Sequence, residues 1–186
     1  MKFRLLLASF SIVVSATSAM AAGPYMGAEL GATILNGRND GFTKTSYDVG
    51  GALNASAGCD FDGVRIEGEF GYKTANTKIA AYTFGRNSGG GYEYRTTVNS
   101  LMANAFWDII PKSIVTPVLG AGVGVLDLGD GLNGVLGYQL SAGVAFKVGS
   151  HLHLDLAYRF QGDANIGGKS SPYQSSNILT GLRYNF

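Results

Sequence analysis

Residues that usually stiffen or cross-link a small exported chain are scarce here: one cysteine, four prolines and one tryptophan among 186 residues. A single cysteine, Cys59, rules out an internal disulfide framework, and its simplest role is as a small apolar packing residue. Four prolines with no period of three rule out a collagen-like rod despite 28 glycines. Charged residues make up only 15% against 46% hydrophobic ones, which excludes charge-driven disorder. Long apolar runs are missing too. The most extended, Leu5 to Val14, falls short of the roughly 20 residues a helix needs to cross a bilayer.

That run has a different use. It follows the basic Met1-Lys2-Phe3-Arg4 and precedes Ala19-Met20-Ala21, with Gly23-Pro24 just beyond, the arrangement of a secretory signal with a small-x-small cleavage site. Cleavage is expected after Ala21, giving a signal peptide over 1–21 and one domain over 22–186. Removing Lys2 and Arg4 leaves 12 basic and 13 acidic side chains, a net charge of −1. So even a balance offers no footprint for nucleic acid, which needs clustered Lys and Arg.

Glycine is plentiful, about twice the usual share of roughly 7%. Inside strands it lets backbones approach and a tightly curved sheet bend. Hydrophobicity alternates with a period of two. Leu152, Leu154, Leu156, Tyr158 and Phe160 share one face, with His153, Asp155, Ala157, Arg159 and Gln161 on the other. Ile178, Thr180, Leu182, Tyr184 and Phe186 oppose Asn177, Leu179, Gly181, Arg183 and Asn185, with Leu179 the exception. Leu136 to Phe146, Val64 to Tyr72 and Met26 to Ile34 follow the same rule. In Val49 to Phe61, Val49, Leu53 and Phe61 share a parity against Asn54, Ser56 and Asp60. Pro117 to Leu126 sets Leu119, Ala121, Val123 and Val125 against a smooth face of Gly120, Gly122 and Gly124. Thr97 to Asp108 is ambiguous: with Leu101, Ala103, Ala105 and Trp107 outward, Val98, Met102 and Phe106 fall inside with Asn104 and Asp108.

Connections alternate in length. Asp60 to Gly63, Ile109 to Ile114 and Val148 to His151 are short, whereas Leu35 to Ser46, Thr74 to Glu93, Asp127 to Gly134 and Gly162 to Ser176 are long. The expected fold is therefore all-β, an eight-stranded antiparallel up-and-down transmembrane β-barrel with short periplasmic turns and long outer loops. Charge placement agrees. Outward strand positions carry no ion, while the inward set holds Glu29, Glu67, Glu69, Asp108 and Asp155 against Arg65, Lys73, Lys147, Arg159 and Arg183. A soluble barrel reverses this arrangement. Ten inward ions of balanced sign read as a salt-bridged plug in preference to a one-sign selectivity ring.

Gly23-Pro24-Tyr25-Met26-Gly27-Ala28, Leu101-Met102-Ala103-Asn104-Ala105-Phe106-Trp107-Asp108, Gly120-Ala121-Gly122-Val123-Gly124 and the terminal Gly181-Leu182-Arg183-Tyr184-Asn185-Phe186 together resemble the opacity-protein and outer-membrane-protein-A-like family of small eight-stranded surface barrels. The resemblance implies an outer-membrane location in a bacterial cell and a terminal signal, Ile178, Leu182, Tyr184 and Phe186, read by the barrel-assembly machinery. No peptidoglycan-binding domain is expected after residue 186, so the resemblance does not extend to that activity of larger relatives.

The expected partners are outer-membrane lipid and the assembly machinery, with a host or surface ligand at the outer loops, where functional residues of such scaffolds gather. Tyr82, Phe84, Arg86, Tyr92 and Tyr173 are the candidate contacts, with interfacial anchoring of the rim as their plainer use. A structural and surface-interaction role, including adhesion, is the expected function, and a narrow porin-like channel is the alternative. An outer-leaflet lipid-modifying enzyme would need a nucleophile beside a base. The two histidines, His151 and His153, are expected at a periplasmic turn, away from outer-loop Ser170, Ser171, Ser175 and Ser176. No enzymatic activity, metal site or cofactor is expected.

Overall fold

The structure, a computed structural model, describes residues 23–35, 43–81, 91–128, 134–164 and 173–186, with only the backbone described at 43–47, 77–81 and 91–94. The expected signal peptide lies outside them. The strand segments are β1 (Gly23–Leu35), β2 (Thr43–Tyr47), β3 (Gly50–Asp60), β4 (Val64–Ala81), β5 (Gly91–Asp108), β6 (Val115–Asp127), β7 (Val135–Lys147), β8 (Leu152–Asp163) and β9 (Gln174–Asn185). Each pairs antiparallel with its neighbours; β1 meets both β3 and β9, and β4 meets β5, which closes the sheet.

β2 and β3 make a single stave, since both pair with β4. Between the pairs Tyr47↔Thr77 and Gly51↔Thr74, three residues (Asp48, Val49, Gly50) oppose two (Ala75, Asn76), which is a β-bulge. Gly50 is required there, because a Cβ would sit 2.0 Å from the Thr74 carbonyl oxygen. With that pair merged, the closed barrel has eight staves.

The stagger of the barrel follows from register. The row starting at Tyr25 passes through Gly58, Glu67, Asn104, Gly122, Gln139, Gln161 and Ser175, and returns to β1 at Leu35, ten residues farther along the strand. Eight staves with this offset tilt by about 40°, taking a rise of about 3.3 Å and a spacing of about 4.8 Å. Every inward side chain therefore has neighbours that sequence order does not suggest.

The expected parities hold. Met26, Leu30, Ile66, Phe70, Leu119, Leu140, Leu156 and Leu182 are exposed on the outer face, while Arg65, Glu67, Glu69, Lys73, Arg159 and Arg183 are buried. Leu179 is inward, 1% exposed. A soluble protein does not present an apolar surface this continuous to water, so the outer face is the one that meets lipid. The ambiguous strand resolves in the same sense. Val98, Met102 and Phe106 are buried inside and Trp107 is exposed outside, because the facing strand supplies glycine: Phe106 pairs with Gly120, Asn104 with Gly122 and Met102 with Gly124.

The short turns are as expected. Asp62 and Gly63 have φ of 58° and 109°, the two positive values of a type I′ hairpin, and Phe61 N–H donates to Val64 O at 2.8 Å. The long connections differ from expectation. β4 and β5 stay paired out to Ala80↔Gly91, and β2 pairs with Thr77–Ala81, so much of the expected loops Thr74–Glu93 and Leu35–Ser46 is strand. β-branched residues such as Thr74, Thr77, Ile79, Thr96 and Thr97 favour the extended form, and the ribbon rises about 20 Å past the β3–β4 pairing at Gly51↔Thr74. Charges do occur at outward parity at this end, with Arg95 and Asp127 both exposed.

Candidate functional site

The inward side chains form three levels from the turn end to the loop end. At the turn end, Arg65 donates from Nε and Nη2 to Asp108 Oδ1 at 3.1 and 3.0 Å. Its guanidinium lies 5.0 Å from the Phe106 ring centroid and 5.7 Å from that of Tyr25. Arg183 grips both oxygens of Asp155, at 3.1 and 3.3 Å, and lies 5.6 Å from the Tyr25 ring. Tyr25 is thus contacted by two guanidinium groups, a cation–π arrangement that holds the first strand against β4 and β9. Phe106, Val118 and Ala145 fill the remaining wall.

At mid-height Arg159 crosses from β8. It pairs with Glu29 of β1 at 3.0 Å and with Glu69 of β4, and donates from Nε to Ser141 Oγ at 2.9 Å. Asn54 Nδ2 donates to the same Glu29 at 3.1 Å. Around this septum runs a polar ladder along the Tyr25 row. Tyr25 OH donates to Glu67 Oε2 at 2.8 Å, Asn104 Nδ2 to Glu67 Oε1 at 3.3 Å, Gln139 Nε2 to Asn104 Oδ1 at 2.8 Å, and Gln161 Nε2 to Gln139 Oε1 at 3.3 Å. Gly58 and Gly122 are the gaps in this row. A Cβ on Gly122 would meet Asn104 Oδ1 at 1.9 Å, so glycine here is what lets the amides on either side join hands. Lys73 closes the ladder by donating to Gln161 Oε1.

Toward the loop end apolar side chains, Leu35, Ala52, Ala75, Val98 and Leu126, are buried beside the polar Ser100, Asp163 and Ser175. Between the turn-end and middle levels the described residues leave a cavity of about 40 Å³, bordered by Arg65, Asp155 and Arg183 on one side and by Glu29, Glu67 and Arg159 on the other. The lumen is a packed, hydrogen-bonded interior in which ions of both signs neutralise one another. Such a network stiffens a core in proportion to how fully it is satisfied, and here Asn54 Oδ1, Asn177 Oδ1 and Thr33 Oγ1 are buried without a partner among the described residues.

Nine of the ten inward ions expected from sequence meet here, and Lys147 does not. It keeps inward parity, but as the last residue of β7 it stands at the turn-end mouth, exposed and without an ion pair among the described residues. Four cations and five acids remain. Asp163, buried at the loop end, was missed because it falls at the edge of an expected loop; its Oδ1 accepts from Tyr173 N–H at 2.9 Å. Tyr173 is engaged as well as half-buried: its hydroxyl donates to Ser175 Oγ at 3.0 Å, and burial pushes it up to about 12. Tyr82, Phe84 and Arg86 lie outside the described residues, and for Tyr92 only the backbone, in β5, is described.

The terminal residues Ile178, Leu182, Tyr184 and Phe186 are outward and exposed, at 61%, 54%, 45% and 64%. Tyr184 packs edge-on to Phe186 and stacks on His151. His153 sits at the turn end opposite Arg183, and Ser175 opposite Gln161. Eight residues of strand separate them, about 26 Å, too far for a nucleophile and its base.

Comparison with known proteins agrees with this architecture. Residues 4–186 match the family model of the outer membrane protein beta-barrel domain, and the chain belongs to that family, whose place is the bacterial outer membrane. Among solved structures it is similar to Neisserial surface protein A, at 21% identity and a TM-score of 0.61 over 88% of this chain and 97% of that one. It is also similar to the outer membrane protein OprG from Pseudomonas aeruginosa, at 14% identity and a TM-score of 0.56 over 89% and 96%. At these identities the shared property is the fold. No curated protein matches the sequence.

Proposed function

We propose that the protein is a plugged outer-membrane anchor whose work is done at its loop-end surface, as a structural and surface-interaction protein that includes adhesion among its uses. The observation that carries this reading is the Arg159 septum. One guanidinium bridges β8 to carboxylates on β1 and β4, inside a lumen already occupied by the polar ladder and, above it, by closely packed buried side chains. An ion path would need open, continuous polar space and binding weak enough to release its cargo. The β2–β4–β5 ribbon supports a loop-end role, since it carries Ala81 and Gly91, the residues that flank 82–90, about 20 Å past the β3–β4 pairing at Gly51↔Thr74. Those intervening residues include Tyr82, Phe84 and Arg86, and Tyr92 stands next to them. The outward terminal face of β9 supports recognition of Ile178, Leu182, Tyr184 and Phe186 by the barrel-assembly machinery during insertion. The separation of His153 from Ser175 supports a non-enzymatic role.

The test pairs two measurements on the purified barrel. Planar bilayers should show no resolved conductance steps. Deletion of residues 82–90 should abolish binding to cell or matrix surfaces while leaving heat-modifiable gel mobility intact. Steady channel steps would establish the narrow-pore alternative, and unchanged binding after deletion would remove the adhesive role.

A further inference from the structure

The turn end of the barrel is chemically lopsided. The β3–β4 turn carries Asp60 and Asp62 and no cation. The connections 109–114 and 148–151 carry no carboxylate; Lys112 lies within one of them, and Lys147 adjoins the other. Their apolar side chains face out, with Ile110 55%, Ile114 74% and Val148 63% exposed. This is not fraying. Ile109 N–H donates to Pro117 O and Lys147 N–H to Ile114 O, each at 2.9 Å, and Thr116 Oγ1 donates to Ile110 O at 3.2 Å.

We propose that the connections 109–114 and 148–151 sink into the headgroup layer of the leaflet on the turn side, with Lys112 and Lys147 set against anionic phospholipid headgroups. The barrel then sits deeper along β5 to β8 than at the acidic β3–β4 turn. Continuity is the first support. Exposed Ile114 runs directly into Val115 and Phe146, paired across β6 and β7, and thence into the lipid-facing wall with Trp107 and Leu119. A docking site for a protein is normally set off from such a wall by a polar rim, and none intervenes here among the described residues. Charge is the second support. Lysines carry apolar stems and reach charged heads to the interface, and Lys147 has no carboxylate partner among the described residues. Lys112 pairs with Asp62 at 2.8 Å in full exposure, a contact weak enough for headgroups to share.

The inference rests on the barrel being seated in a bilayer, so the test separates the two. In a Cys59→Ser background, single cysteines at Ile114, Val148, Asp62 and Leu119 carry a nitroxide. Proteoliposomes are made of phosphatidylcholine, with or without about one third phosphatidylglycerol. Collision rates with oxygen and with a water-soluble nickel chelate are then compared. Leu119 should favour oxygen strongly, and Ile114 and Val148 should exceed the Asp62 ratio by about threefold or more. Phosphatidylglycerol should raise the Ile114 and Val148 ratios further, and Lys147→Gln should remove that rise. Ile114 and Val148 labels as water-accessible as Asp62, with Leu119 still in lipid, would overturn the inference alone. A Leu119 label in water would overturn the bilayer seating and the inference with it. Ratios indifferent to phosphatidylglycerol would remove the headgroup contact.

Discussion

Replacing Arg159 by methionine keeps an unbranched side chain of similar reach and removes the charge that joins three staves. Arg159 is 2% exposed and holds Glu29 at 3.0 Å, Glu69, and Ser141 at 2.9 Å. With it gone, the network of septum and ladder retains Glu29, Glu67 and Glu69 against Lys73 alone. Its formal charge moves from −1, three acids against two cations, to −2, three against one. Breaking a buried pair by removing one partner costs about 3 to 5 kcal/mol, because the other charge is left uncompensated. For a domain of this size each kcal/mol is roughly 2 to 4 °C, so the melting midpoint should fall by about 6 to 20 °C. The assay is the temperature at which the compact gel band is lost, read beside the emission of Trp107, the chain's one tryptophan and 57% exposed on the lipid face. Adding Glu69→Gln should recover about half of the loss, since neighbouring charges couple. An Arg159→Met barrel within about 1 kcal/mol of the parent, or a double variant no better than the single, would refute the claim that Arg159 is the keystone of the plug.

Other positions test other levels. Gly120→Ala places a Cβ 2.3 Å from Phe106 Cδ1 and should cost about 1 to 3 kcal/mol by overpacking; adding Phe106→Leu should recover most of it in a denaturant titration. Tyr25→Phe removes the 2.8 Å donation to Glu67 and should lower stability by about 1 to 3 kcal/mol without changing the barrel's circular dichroism. Asp62→Val forces a β-branched residue to φ 58° and should cost about 1 to 2 kcal/mol, whereas Asp62→Gly should be tolerated by the same measurement. Deleting Phe186 should slow insertion by the assembly machinery, scored as unfolded precursor in pulse-labelled cells, yet leave the melting midpoint of refolded barrel nearly unchanged.

Much of the wall was readable in advance. In β4, β7, β8 and β9 every second residue must suit hydrocarbon, and that requirement writes itself into the sequence as alternation. Leu179, the one breach in the last strand, is inward and buried, as the rhythm demanded. β5 was not readable because its own residues are apolar on both faces. What decides its parity is the glycine row of β6, and only register shows that Gly120, Gly122 and Gly124 stand opposite Phe106, Asn104 and Met102. Lys147 misled because parity says which way a side chain points and not how far along the axis it lies. The β4–β5 ribbon reads as loop in the sequence because residues beyond the bilayer are freed from the alternation that marks a strand within it.

Outside β5, the sequence alone determined which side chains face lipid and which face inward, because that choice depends only on a period of two along one strand and on what hydrocarbon tolerates. The tertiary structure decided which inward groups meet. Closing eight staves with an offset of ten residues brings Tyr25 to Glu67, Gln139 to Asn104 and Arg159 to both Glu29 and Glu69. No local pattern encodes that offset, since it belongs to the closed sheet as a whole.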